Sequence, residues 1–177
     1  QRQGRTVINY VTGDATNPLV DGHKIIAHIC NDIGGWGRGF VLSLTQRYPL
    51  AEQAYRRWNV EGEMGPDDKP FRLGEVQLIR VADDVQVANM IAQHGIMPKN
   101  EIPPIRYEAL ERCLVSLEAY AKFYGASIHM PRIGCGLAGG KWQYIEPLIE
   151  ARLGANGVPT YVYDFDTGDA RTIPWSK

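Results

Sequence analysis

The chain is poor in cysteine. Its 177 residues hold three, Cys30, Cys113 and Cys135, an odd number with none of the spacings that hold a metal. This argues against a disulfide framework and predicts reduced thiols in a cytoplasmic compartment. The four histidines do not cluster with the cysteines, so no metal or other cofactor is expected. No apolar run approaches the ~20 residues of a membrane-spanning helix, so no membrane partner is expected. An excess of one charge is missing too. Nineteen Lys and Arg face twenty Asp and Glu, a net charge of −1, which excludes the global basic field of a nucleic-acid coat protein and leaves room only for a local patch. The opening Gln1–Gly4 has no apolar signal-peptide core. Repeats and low-complexity linkers are absent. A chain of this length, 44% hydrophobic, supplies one core rather than two. One domain over 1–177 is expected, with its core at about 6–165 and a surface tail at 166–177.

Glycine, by contrast, is plentiful at 19 residues, and it gathers in two places. One is the stretch "IAHICNDIGGWGRGFVLSL" (Ile26–Leu44), where four glycines surround Trp36. The other is "RIGCGLAGGKW" (Arg132–Trp142). The segments around them are well patterned. Thr6–Val11 alternates as a strand. His23–Cys30 is a β-branched run, apolar on both faces, which reads as a buried central strand. Phe40–Tyr48 has helical spacing, Pro49 interrupts it, and "LAEQAYRRW" continues as a second helix. Gly74–Val81 and Val85–Gln93 read as strands joined by a turn at Asp83-Asp84. "GIMPKNEIPPI", with three prolines, reads as loop. Arg106–Gly125 carries Leu110, Leu114, Leu117 and Ala121 on one face and a glycine stop, the signature of an amphipathic helix. "SIHMPRIG" is strand-like, "KWQYIEPLIEARLG" helical, and "PTYVYDF" a final strand. Alternating strands and helices imply an α/β domain with a central mixed β-sheet.

Both glycine clusters therefore follow a strand and precede a helix. In an open α/β sheet, ligands bind beyond the carboxyl ends of the strands. Glycine there permits close backbone approach, and the amides at a helix start favour anions. Two such loops facing each other would hold a diphosphate without a lysine. Neither fits the dinucleotide G-x-G-x-x-G fingerprint or the Walker motif.

"YVTGDAT", "IIAHICNDIGGWGRGFVLSLTQRYPLAEQAY", "ANMIAQHG" and "MPRIGCGLAGGKW", in this order between Val7 and Phe165, together resemble a macrodomain, the ADP-ribose-binding fold. The branch they resemble contains the terminal ADP-ribose protein glycohydrolase and the yeast ADP-ribose-1″-phosphate phosphatase. The resemblance implies a three-layer α/β/α sandwich, monomeric, with ADP-ribose as ligand. It implies that Asp14, after Gly13, accepts a hydrogen bond from the adenine amino group, with Ala15 beside it and Phe165 packed on the ring. Gly35, Trp36, Gly37, Gly39 and Phe40 would form one loop, around the distal ribose and a phosphate. Ile133, Gly134, Cys135, Gly136, Leu137 and Ala138 would form the other. Trp36 is either a wall over the distal ribose or a buried anchor. Arg132 is expected to pair with a carboxylate or a backbone carbonyl, and His129 to belong to the core.

The glycohydrolase pattern also predicts a catalytic lysine and aspartate. Gln93 stands at the lysine position and Ala138 at the aspartate position, and a covalent lysine–ribose adduct is unavailable to a glutamine. The remaining candidates for catalysis are His28, a residue type that shuttles protons near neutrality, with Asn31 and Gln93. Asp32 and His94 would contact ribose hydroxyls. The resemblance implies an ADP-ribosyl hydrolase working by water attack at C1″ on glutamate-linked protein ADP-ribose, with ADP-ribosylated nucleic acid as a further acceptor. The alternatives are an ADP-ribose 1″-phosphate phosphatase and a non-catalytic reader.

Overall fold

The computed structural model describes residues 8–62 and 69–164. Six strands form one sheet: β1 (Asn9–Thr12), β2 (Lys24–Asn31), β3 (Val76–Ala82), β4 (Val85–Gln93), β5 (Ser127–Met130) and β6 (Thr160–Asp164). Their order is β1-β6-β5-β2-β4-β3. All neighbours are parallel except the β3–β4 hairpin, which turns at Asp83-Asp84, so the sheet is mixed as expected. Strand β5 is shorter than the sequence suggests. Pro131 follows Met130 directly, and a residue without an N–H cannot extend the ladder.

Four helices cover the sheet: α1 (Phe40–Arg47), α2 (Pro49–Glu61), α3 (Tyr107–Tyr124) and α4 (Trp142–Arg152). Pro49 does not merely interrupt a helix. It opens α2, where its missing N–H costs nothing. Gly125 closes α3 in the left-handed conformation.

The alternation along β2 divides the core. Ile25 and Ala27 face a cluster with Leu110, Leu114 and Leu117 of α3 and Ile145 and Ile149 of α4. Ile26 and Cys30 face a second cluster with Phe40 and Leu44 of α1 and Ala51 and Tyr55 of α2. The result is a three-layer α/β/α sandwich. Each fully buried leucine of α3 contributes roughly 1.5–3 kcal/mol.

The chain leaves β2 toward the α1–α2 layer and β5 toward the α3–α4 layer, yet β2 and β5 are neighbours. Their carboxyl ends thus flank a crevice at a point where the connections diverge. One irregularity adjusts this end of the sheet. Cys30 pairs with Ile91, but Asn31 pairs with Gln93, so Ala92 is an extra residue. Its carbonyl accepts the amide of Arg106 at the start of α3 instead (2.8 Å). The proline-rich segment beyond β4 is more ordered than a plain loop. Lys99 and Ile102 exchange two backbone hydrogen bonds of 3.0 Å around a tight turn, with Asn100 and Glu101 at positive φ.

Candidate functional site

A cavity of about 350 Å³ opens at the carboxyl ends of β2, β4 and β5. Both glycine-rich loops line it: Gly35, Trp36, Gly37, Gly39 and Phe40 on one side, and Ile133, Gly134, Gly136, Leu137 and Ala138 on the other. His28, Asn31 and Gln93 line it as well.

The β5–α4 loop is shaped around its own main chain. Gly134 has φ 76°, and a Cβ there would meet Ile145 at 2.9 Å and Ile105 at 3.0 Å. The Cys135, Gly139 and Gly140 amides close turns inside the loop. The amides of Gly136, Leu137 and Ala138 have no backbone acceptor among the described residues. Donors in that state beside a cavity suit an anion.

The β2–α1 loop is fixed by side chains. Asn31 Oδ1 accepts the amides of Ile33 (3.0 Å) and Gly35 (2.9 Å), and its Nδ2 donates to the Gly35 carbonyl (2.9 Å). The Tyr55 hydroxyl reaches both the Asn31 carbonyl (2.5 Å) and Oδ1 (3.0 Å). The Asn31 side chain, a candidate for catalysis, is committed to its own loop as a clamp. Trp36 is the buried anchor of its loop and also borders the cavity. Its indole N–H donates to Thr45 Oγ1 at 2.6 Å.

His28 corrects an expectation. It is 2% exposed, and burial pushes its pKa down to about 4, so it is neutral at pH 7 rather than poised as a shuttle. Its Nε2 lies 2.5 Å from Asn89 Oδ1, and the ring meets Trp36 edge-on with centroids 5.2 Å apart. Its Nδ1 is buried without a hydrogen-bond partner among the described residues, a state that costs about 1–3 kcal/mol.

Other expected residues stand outside the lining. Asp32 Oδ2 accepts from His94 Nδ1 (2.8 Å) and its Oδ1 from the Gly95 amide (2.8 Å), so the two form an exposed pair tying β2 to β4. Asp14 Oδ1 accepts the Thr16 amide (2.9 Å) and hydroxyl (2.7 Å), and its Oδ2 lies 3.8 Å from Arg47. Gly13 donates to the Asp164 carbonyl (2.8 Å), and Ala15 is buried with Trp36 and Phe40 in one cluster. Phe165 lies outside the described residues. Cys135 is half-buried and absent from the lining, and desolvation raises its pKa. Gln93, which does line the cavity, donates its Nε2 to the Gly95 carbonyl (3.1 Å).

Arg132 grips Asp164 through two bonds, of 2.7 and 3.0 Å, and its guanidinium lies over Tyr10 and Trp142. His129 is fully buried, held between Ser127 and Tyr163. Arg38, Ile96 and Met97 line the cavity and were not among the sequence candidates. Arg38 is the one basic residue of the Trp36 loop, and that position was the available signal. Ile96 and Met97 follow β4 by three and four residues, and no residue type marked them. Among the described residues, no carboxylate, lysine or metal-holding cluster lines the cavity. No helix of the described residues is long and apolar enough to cross a membrane.

No protein-family model matches the chain. It is similar over nearly its whole length to a solved macrodomain protein from Streptomyces coelicolor, with 49% identity, a TM-score of 0.78, and 89% of this chain and 99% of that one covered. Among curated proteins it is 33% identical over 174 residues to chromodomain-helicase-DNA-binding protein 1-like of Mus musculus, covering 94% of this chain and 19% of that protein. The chain thus spans about a fifth of that relative's length. It is 25% identical to the ADP-ribose 1″-phosphate phosphatase of Lodderomyces elongisporus, with 89% of this chain and 99% of that enzyme covered.

Proposed function

The chain belongs to the macrodomain family, and from that premise we propose that it binds ADP-ribose and hydrolyses the bond between the distal ribose and a modified acceptor. The observation that carries the reading is the single cavity shared by two glycine-rich loops, one of which presents the amides of Gly136, Leu137 and Ala138 without backbone acceptors. A pyrophosphate is the anion such a pair of loops suits. The turn Gly13–Ala15 lies beside the cavity through Ala15, which packs with Trp36 and Phe40. The half-exposed Asp14 Oδ2 is then the group to select the adenine amino donor.

The chemistry follows from what lines the site. Gln93 offers no nucleophilic amine, and His28 is neutral and weakly basic. Water is therefore the nucleophile at C1″. The bound diphosphate stabilises positive charge that develops on the distal ribose, and a carboxylate leaving group departs without an acid. Positioning and fixed dipoles carry the rate in such a site. The acceptor fitting this scheme is a glutamate ester on protein, with ADP-ribosylated nucleic acid as the second candidate.

A phosphatase reading draws on the relative of matching length, whose name gives ADP-ribose 1″-phosphate as its substrate. A reader reading draws on the lack of a carboxylate or lysine in the described lining. Incubation with glutamate-linked mono-ADP-ribosylated protein, and separately with ADP-ribose 1″-phosphate, decides among the three. Free ADP-ribose from the first substrate supports the hydrolase. Inorganic phosphate from the second supports the phosphatase. Tight binding with neither product supports the reader.

A further inference from the structure

Two side-chain amides behind His28, the buried Asn89 and the partly buried Gln77, fix the state of its ring. Two main-chain carbonyls of α2 anchor the network. Gln77 Nε2 donates to the Ala54 carbonyl (3.0 Å), which leaves Gln77 Oε1 to face Asn89. Asn89 Nδ2 donates to that Oε1 (3.1 Å) and to the Ala51 carbonyl (3.2 Å). Carbonyls only accept, so neither amide can be turned round without losing these bonds. Asn89 therefore presents Oδ1 to His28, and the proton between them sits on His28 Nε2. A neutral imidazole with Nε2–H has a bare lone pair on Nδ1. That atom is the one buried side-chain nitrogen or oxygen without a partner among the described residues, and His28 is one of the residues that line the cavity.

We propose that His28 Nδ1 is a dedicated acceptor for one O–H donor of the bound ligand, either a ribose hydroxyl or the water held against it, and that Asn89 and Gln77 are the positioning residues that keep it so. The inference rests on the ADP-ribose reading for the identity of the ligand and on the hydrogen-bond network for the state of the ring. It gives His28 a role that needs no titration at pH 7. A base that exchanged its proton would compete with the relay behind it, whereas a fixed acceptor orients a hydroxyl and discriminates against ligands that lack one. Asn89 has no exposed surface and does not line the cavity, so it acts only through the histidine.

The test uses the whole chain with ¹⁵N-labelled histidine, read by long-range ¹H–¹⁵N correlation. Ligand-free protein is expected to show His28 with an unprotonated Nδ1 and a protonated Nε2 at pH 7. The opposite tautomer would overturn the relay. On adding ADP-ribose, the Nδ1 resonance is expected to move toward the hydrogen-bonded range. A shift with ADP-ribose and none with ADP places the donor on the distal ribose or its water, and a shift with both places it on the adenosine ribose. Either outcome supports the proposal. Calorimetric binding of ADP-ribose with an unmoved Nδ1 would overturn the proposal and leave the ADP-ribose reading standing. No binding heat at all would remove the reading, and the proposed donor with it. Asn89→Asp adds a carboxylate beside Nε2. It is expected to leave His28 protonated on both nitrogens and ADP-ribose bound about tenfold more weakly. If that variant does not fold, the wild-type spectra still decide.

Discussion

Trp36 and Thr45 are joined by a 2.6 Å hydrogen bond from indole to hydroxyl, and the Thr45 hydroxyl donates in turn to Glu52 Oε1 at 3.0 Å. The bond ties the β2–α1 loop to α1 and α2 together. Thr45→Val keeps the shape and strands the indole N–H. The expected result is a loss of about 1–2 kcal/mol in urea denaturation, accompanied by a several-fold weaker calorimetric affinity for ADP-ribose.

Gly37 and Gly134 separate affinity from stability. A Cβ at Gly37 meets nothing within 4 Å, whereas one at Gly134 strikes Ile145, Ile105 and Ile29 at 2.9 to 3.2 Å with φ at 76°. Gly37→Ala is expected to leave stability within about 0.5 kcal/mol of wild type while reducing ADP-ribose affinity, because the new methyl occupies cavity wall. Gly134→Val is expected to destabilise by more than about 2 kcal/mol. Denaturation curves and calorimetry on both variants check the contrast. An unchanged affinity in Gly37→Ala would remove that loop from the ligand.

Acid should weaken the fold through two histidines. Burial lowers both His28 and His129 to about 4. The unfolded chain takes up protons at these residues near pH 6.5 and the folded chain does not, so their stability contribution is complete above about pH 6.5 and is lost as pH falls toward 4. The two together amount to several kcal/mol. Denaturation midpoints between pH 7 and pH 4.5 measure it, and His129→Phe should flatten the slope.

Cys135 is expected to be dispensable for turnover. It does not line the cavity, and desolvation holds its thiol above the ordinary range, the reverse of an activated nucleophile. Cys135→Ser should keep hydrolysis within about twofold in a product-release assay. A loss of a hundredfold would restore the thiol to the mechanism.

The elements of the fold were legible because their signals are local: the β-branched run of β2, the leucine face of α3, and glycine after each site-forming strand. The two loops were legible as the walls of a cavity for the same reason. The polar scaffold behind His28 was not. Asn89 sits in a strand buried along its length up to Ala92, and an amide inside such a run was a visible anomaly that periodicity read simply as strand. Which atoms it serves depends on the Ala51 carbonyl of α2, 38 residues earlier in the chain, and on Gln77 of β3, relations that no spacing encodes. The ionisation of His28 was illegible for the same reason, since it follows from burial. The capture of Asp14 by Thr16 and the pairing of Asp32 with His94 likewise required coordinates.

Ala92 ties the rim of the cavity to the far layer of helices. By turning its carbonyl to Arg106 and letting Asn31 pair with Gln93, it makes the end of β4 a shared hinge-post for β2 and α3. If the post opens as one unit, the Asp32 amide, bonded to the Gln93 carbonyl, and the Arg106 amide are expected to exchange with deuterium at a common rate. Removing this one residue would shorten the strand by a single step and reverse the side on which Gln93 emerges.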